Sequence, residues 1–283
     1  MKIAVCWKWV SLDREREADR RWSGVSAADE AALEVALRIA DRADTAPDAA
    51  PSEVTVICLG PPSADDVLRE AIAAGATSAV RVDASTELES HVVAVALAEH
   101  LGDRDLVVCG DYSLDRGTGS VPAFLAGELS MAQALGLLEV DVDRDDTNSS
   151  ALRVIRRLDG GRREILDVTP PAVLSVEGSA ASLRRASLAA SLAARTAPVA
   201  TVRGPHGRLP EAEIHPYRPR ARVLPAPTGG SLDRVRQILD VGGGDTHAEL
   251  VTLDAPAAAS KILDQLRSWG YLDAPASGRP GAG

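Results

Sequence analysis

The residues of this 283-residue chain best suited to chemistry lie in one loop. GDYSLDRGTGS, from Gly110 to Ser120, follows the apolar run DLVVC (Asp105 to Cys109) and leads straight into the helix-forming stretch VPAFLAGEL. Gly117 and Gly119 permit close backbone approach, and Thr118 and Ser120 supply hydroxyl donors beside a helix start, where unpaired N–H groups favour anions. The chemistry such a loop offers is phosphate capture. The same composition also arises in helix-opening turns for conformational reasons alone, so the loop by itself leaves both readings open. No Walker A sequence is present, nor a G-x-G-x-x-G after the first apolar run, which excludes a P-loop NTPase and an ordinary dinucleotide-binding dehydrogenase.

Cys6, Cys58 and Cys109 fall at or near the ends of three apolar runs. In an open parallel sheet those are the carboxyl ends, where ligands bind. Their shared position supports the strand register and marks the crevice. No His or Lys pattern beside them points to a reactive thiolate, so each is read as a small buried hydrophobe. Three cysteines without C-x-x-C spacing give neither a disulfide framework nor a zinc site. TGGSLD (Thr228 to Asp233) is read as a helix cap and not as the pyrophosphate loop of ATP-using ligases. His247, between Asp245 and Glu249, is read as part of a glycine turn with a solvated acidic edge rather than as a metal ligand. Asn148 begins an N-S-S glycosylation acceptor, which an unexported chain would never present to the enzyme. No Ser/His/Asp set or helically spaced carboxylate pair stands out, which argues against a self-contained hydrolase.

The elements that must position the loop follow from periodicity. KIAVCW (Lys2 to Trp7), EVTVICL (Glu53 to Leu59), SAVRV (Ser78 to Val82) and DLVVC read as strands alternating with helices, the pattern of a parallel sheet with crossover helices. The first helix has Ser26 as cap, Asp29 at its third position, and Leu33, Ala36, Leu37 and Ala40 on one face. A second runs from SADD to Gly75, burying Leu68, Ala71 and Ile72. A third spans about Leu88 to Leu101, and a fourth Ser120 to Leu129. After Leu137 come short extended runs, LLEVDV, ALRVIRRL, REILDV and AVLSVEG, with Gly160 and Gly161 marking a hairpin and so an antiparallel addition to the sheet. SLRRASLAASLAARTA reads as helical. From Pro198 to Pro227 the chain reads as an arm, followed by two short amphipathic helices and a disordered tail. The expected fold class is α/β, a parallel sheet of the adenine-nucleotide-binding type with an antiparallel addition and an extended C-terminal arm. Its expected divisions are 1–197, 198–273 and 274–283.

Bulk properties narrow the function. A hydrophobic content of 45% supports a real core, and a net charge of −10 excludes non-specific nucleic-acid binding. Lys2, Lys8 and Lys261 are the lysines among many arginines, a compositional bias and not a functional arginine patch. The N-terminus has no apolar signal region and no run is long enough to span a bilayer, so a soluble cytoplasmic chain without direct membrane insertion is expected.

The order of segments is more specific than any one loop. AVCWKWV with Lys8, DEAALEVALRIAD, EVTVICLGPPSADDVLREAIAAGATSAVRVD, the loop block, LRVIRRLDGGRRE and PPAVLSVEG together resemble the beta subunit of electron transfer flavoprotein over roughly residues 1 to 200. The resemblance implies an electron carrier rather than an enzyme, an alpha-subunit partner, FAD held mainly by that partner, and AMP, or a second FAD in its place, bound by this chain. Its partners in electron transfer would be flavin-dependent dehydrogenases.

Carried over by position, the nucleotide would meet Cys6, then Ser26, Ala27, Ala28 and Asp29 before the first helix, and Cys58 after the second strand. It would also meet the loop residues Cys109, Gly110, Asp111, Asp115 and Gly117, with Thr118, Gly119, Ser120 and Val121 at the phosphate end. Ser26-Ala27 stands where the family has Asn-Pro, and the loop is shorter near Arg116. Leu188 occupies the position of the family's dehydrogenase-docking leucine, without the usual Asn-Glu-Pro around it; the competing reading is a helix packing Leu183, Leu188 and Leu192 inward. That divergence suits a specialised carrier such as those associated with mycofactocin-dependent oxidation in actinobacteria. A stand-alone adenine-nucleotide-binding regulatory module is the alternative for the whole chain.

Overall fold

Residues 1–12, 23–45, 50–141, 151–206, 226–239 and 251–272 are described by a computed structural model. His247, Asn148 and the tail lie outside them. The chain divides into two units, Met1–Ile214 and His215–Gly283.

The first unit is built on β1 (Lys2–Trp7), flanked on one side by β4 (Glu53–Gly60) and β5 (Ser78–Asp83) and on the other by β6 (Leu106–Gly110). A two-residue pair, β2 (Val10–Ser11) and β3 (Ser23–Gly24), stands apart from this sheet. β7 (Ala132–Asp141), β8 (Leu152–Arg157), β9 (Arg163–Val168), β10 (Ala172–Val176) and β11 (Ala200–Arg203) complete it. Among the described residues the order is β11-β5-β4-β1-β6-β10-β7-β8-β9, parallel as far as β7 and antiparallel through β8 and β9. This is the expected α/β sheet with its antiparallel addition. The turn between β8 and β9 places Gly160 and Gly161 at φ +70° and +74°, a left-handed conformation that suits glycine.

Helices cover both faces, which is why the central strands are continuously apolar. α1 (Ala27–Ala43) and α2 (Asp65–Ala74) pack Leu33 and Leu68 with Ile3, Val5 and Val56. On the opposite face, α3 (Ser90–Ala98) and α4 (Val121–Leu129) pack Leu97 and Leu125 with Ala4, Ile57 and Val107. Alternate β1 residues thus feed different cores. α1 starts where expected: Ser26 Oγ accepts the Asp29 N–H at 3.0 Å and the Asp29 carboxylate accepts the Ser26 N–H at 3.2 Å. That reciprocal box satisfies two orphan donors.

Several elements differ from the sequence expectation: β7 starts at Ala132, before the expected LLEVDV run, β7 and β10 join the parallel part of the sheet rather than its antiparallel addition, and the β2–β3 pair was not expected. α3 is shorter, because His100 and Leu101 donate to Leu97 and Ala98, tight i→i−3 bonds that close the last turn. The segment from Ser182 is helical only over α5 (Leu188–Ala194). Upstream of it, the Arg184 N–H donates to the Glu34 carboxylate at 3.0 Å instead of to a helical carbonyl, and Ser187 then caps the helix. β11, within the expected arm, pairs in parallel with β5 from Ala200 opposite Val80 to Arg203 opposite Asp83.

The second unit contains α6 (Ser231–Leu239) and α7 (Ala255–Ser268), the two expected short helices. Asp254 caps α7, accepting the Ala257 N–H at 2.8 Å. The Thr228 to Asp233 stretch leads into α6, consistent with its reading as a helix start. No described helix is long and apolar enough to cross a membrane.

Candidate functional site

β1 continues into α1 on one face and β6 into α4 on the other, so the two connections diverge above adjacent strands. Such a divergence leaves a crevice at the carboxyl ends. A cleft opens there, with Cys6, Cys109 and Gly110 at its base and Thr118, Gly119 and Ser120 on its rim. Cys6 and Cys109 are register partners on neighbouring strands. Close packing of α1 against the end of β6 requires Gly110, because a Cβ there would lie 2.8 Å from the Asp29 nitrogen and 2.8 Å from Asp29 Oδ1.

Several tethers hold the loop from 111 to 120. At its start, Ser26 Oγ lies 3.1 Å from the Tyr112 carbonyl and 3.0 Å from Asp29 Oδ2, with one proton to serve the two acceptors. Midway, Lys8 Nζ donates to both oxygens of Asp115 at 2.7 and 2.8 Å. Ser113 Oγ donates to Asp115 Oδ1 at 2.7 Å and accepts the Gly117 N–H at 3.3 Å. Arg116 Nη1 donates to the Leu88 carbonyl at 3.0 Å, joining the loop to the segment before α3. Gly117 and Gly119 adopt φ +60° and +59°. At Gly119 a Cβ would fall 2.4 Å from the Asp111 carbonyl oxygen, so the bend admits no side chain. Thr118 Oγ1 and Ser120 Oγ are 3.0 Å apart at the start of α4.

The electrostatics divide the acidic groups. Burial pushes the Asp29 carboxyl up to about 7, against the hydrogen bonds from Ser26 and the Lys8 backbone that favour its ionised form. Partial burial acts in the same direction on Asp115, but hydrogen bonds from Lys8, Ser113 and the Arg116 backbone prevail and bring it down to about 2. Burial raises the Asp111 carboxyl, with Glu177 adding to the effect. Hydrogen bonding to Cys6 and burial push the Cys109 thiol well up, and burial takes Cys58 to about 12. Such thiols are protonated and unreactive, as expected of strand-end cysteines. Among the described residues no cluster of His, Cys, Asp and Glu is arranged to hold a metal.

Of the residues implied by sequence, Cys6, Asp29, Cys109, Gly110, Thr118, Gly119, Ser120 and Val121 line the cleft. Ser26 and Ala28 are buried beneath it, shaping the α1 start, and Ala27 is exposed at the first helical position. Cys58 is buried in the core on the opposite face of the sheet. Asp111, Asp115 and Gly117 belong to the loop's framework rather than to the cleft wall. Sequence reasoning passed over Lys8, Arg116, Thr86 and Ser90 as lining residues. Thr86 and Ser90 follow β5, a third strand ending on the same edge, and that was the available signal. Leu188, the first residue of α5, is 76% exposed and Leu192 55%, so neither packs inward; Leu183 alone of the three packs partly against the core.

Comparison with known proteins agrees with this geometry. An electron transfer flavoprotein domain matches residues 18–205. The chain is 32% identical over 128 residues to the electron transfer flavoprotein subunit beta of Dictyostelium discoideum, covering 44% of this chain and 48% of that one. It is 31% identical over 156 residues to protein FixA of Azorhizobium caulinodans, covering 52% and 54%. With the electron transfer flavoprotein subunit beta of Methylophilus methylotrophus it shares 32% over 154 residues, covering 53% and 57%. The matched stretch thus spans about half the length of these curated relatives. By the extent of the domain match and the agreement of these relatives, the chain belongs to the electron transfer flavoprotein beta-subunit family.

Proposed function

We propose that this chain is the beta subunit of a heterodimeric electron carrier that takes electrons from flavin-dependent dehydrogenases and passes them to an acceptor. The observation that carries the reading is the cleft at the divergence of β1 and β6, with Thr118, Gly119 and Ser120 at the start of α4. An adenylate fits this arrangement. Its phosphate would meet the two hydroxyls and the backbone of the left-handed glycines, and its base would lie toward the apolar wall at Leu59, Leu88 and Val93. AMP is the proposed occupant. FAD would be held with an alpha subunit and supplies the redox chemistry when bound. The residues of this chain would bind, orient and exclude water, and none need act as a general acid or base.

The proposed divisions are 1–197 as the nucleotide-binding part and 198–273 as an arm contacting the alpha subunit, an arm whose strand β11 adds to the edge of the sheet beside β5. Exposed apolar side chains on the described arm helices, Leu232, Val235, Ile262 and Leu263, favour such a contact. Leu188 is the proposed docking residue for a dehydrogenase.

The test is coexpression of the full chain with a candidate alpha subunit, followed by acid release and mass spectrometry of the bound small molecules. One AMP and one FAD per heterodimer is the expected result, with AMP lost in the Thr118→Val, Ser120→Ala double variant. Two FAD and no AMP would assign the cleft to flavin instead. A chain that holds nucleotide yet associates with no alpha subunit and gains no flavin would overturn the carrier reading in favour of a regulatory module.

A further inference from the structure

Lys8 is the lysine of the cleft, and its bonding is unusual for a residue beside an anion site. Its ammonium has three protons. Two point to the Asp115 carboxylate, at 2.7 and 2.8 Å, and Ser113 Oγ lies at 3.5 Å. The pair is therefore closed on itself, with side chains 39% and 33% exposed. The other cation of the wall, Arg116, is committed to the Leu88 carbonyl.

From Asp115 the bonding continues into the bend. Ser113 Oγ donates to the same carboxylate and accepts the Gly117 N–H, so an unbroken chain of contacts links the end of β1 to the first left-handed glycine. Gly117 and Gly119 flank Thr118, and their φ values set where its hydroxyl and the neighbouring N–H groups point. A loop held by two cross-links is pre-organised, and a ligand that meets it loses less ordering free energy on binding.

We infer that Lys8 and Asp115 form a tether that fixes the shape of the loop from 111 to 120, making Lys8 a positioning residue for the anion-binding end of the cleft and not itself a phosphate ligand. The ligand part of this inference rests on the adenylate reading. With its pKa held at about 2, the Asp115 carboxyl stays ionised throughout the range in which the protein would be handled.

Two measurements on the full chain test it. Hydrogen exchange of the segment from 110 to 121, without nucleotide, should be roughly fivefold faster in Lys8→Met and in Asp115→Asn. The double variant should show no further gain, and Lys8→Arg should restore protection. Unchanged exchange in both single variants, with melting temperatures like the parent's, overturns the tether whatever the cleft binds. Titration with AMP then separates positioning from direct contact. A tether requires Asp115→Asn to weaken AMP about as much as Lys8→Met does. If Lys8 binds phosphate directly, Asp115→Asn frees it and AMP binds more tightly, which overturns the inference. Absence of AMP binding by the parent would instead reject the adenylate reading and leave the exchange result to decide the tether.

Discussion

Gly110 presents its bare Cα to the first turn of α1, and Asp29 fills the space a side chain would need. The contact would be 2.8 Å to both the backbone nitrogen and Oδ1 of Asp29. Backbone cannot yield there as a flexible side-chain end could, because Asp29 is locked by the Ser26 box and its carbonyl accepts the Trp7 indole N–H at 2.6 Å. Gly110→Ala should therefore destabilise the first unit by about 2 kcal/mol through overpacking. That corresponds to a melting temperature lower by about 4–8 °C in a unit of this size. Calorimetry checks it, and a variant as stable as the parent would show that α1 can shift without cost.

The buried Asp29 gives stability a defined pH dependence. Burial raises its pKa from 3.8 to about 7 in the folded chain. Between those values the folded chain retains a proton that the unfolded chain has released. Its contribution is thus greatest in acid and is lost as pH rises from about 4 to about 7, on the order of 4 kcal/mol in all. Asp29→Asn keeps an acceptor for the Ser26 N–H but cannot ionise. The stability difference between variant and parent, from denaturant curves, should grow in the variant's favour from pH 4 to pH 7 and then level off. A constant difference across that range would show that Asp29 titrates normally.

The sheet was legible in sequence because burial on both faces writes uninterrupted apolar runs, and because Ser26, Gly75 and the Gly160-Gly161 turn are local signals with local causes. β11 was not: ATVR is four residues of edge strand inside a Pro-rich stretch, and its pairing with β5 is a tertiary contact. Nor was the short α5, since alanine-rich sequence favours a longer helix and only the buried Glu34, 150 residues away in sequence, diverts Arg184 from it. At the cleft, the glycines and hydroxyls of the loop were readable from composition and order. Asp115 was readable as a loop residue, but its role depends on Lys8, 107 positions distant, and no spacing rule links them.

The Glu34 site predicts unequal effects from two arginines that look alike in sequence. Glu34 is 5% exposed and receives Arg184 through its backbone N–H and Nε, both at 3.0 Å, while Arg38 donates from the next turn at 2.9 Å. Arg184 also reaches Asp41 at 2.9 Å and so ties the segment before α5 to α1. Arg184→Ala keeps the backbone N–H bond to Glu34 but removes the guanidinium bonds to Glu34 and Asp41, and with about a third of that side chain exposed the loss should be about 1 kcal/mol. Arg38→Ala removes a half-exposed i,i+4 pair and should cost a few tenths. Equal losses in denaturant unfolding would contradict the assignment.

Leu188 separates stability from recognition. It is 76% exposed, and Ser187 caps the helix through the Ala190 N–H at 3.1 Å without involving the leucine. Leu188→Ala should leave the melting temperature within about 2 °C, since exposed substitutions away from caps and cores change stability by less than ~0.5 kcal/mol. Under the proposed carrier reading, the same change removes an apolar anchor from the dehydrogenase contact. Such anchors often contribute ~2 kcal/mol, so electron transfer from the cognate dehydrogenase should show an apparent affinity weaker by about thirtyfold at unchanged flavin content. Leu192, one turn further and 55% exposed, lies on the same side of the helix. Its alanine variant should show a smaller loss in the same direction. If both variants transfer electrons like the parent while folding normally, α5 is not the docking surface and the dehydrogenase must be received elsewhere on the chain or its partner.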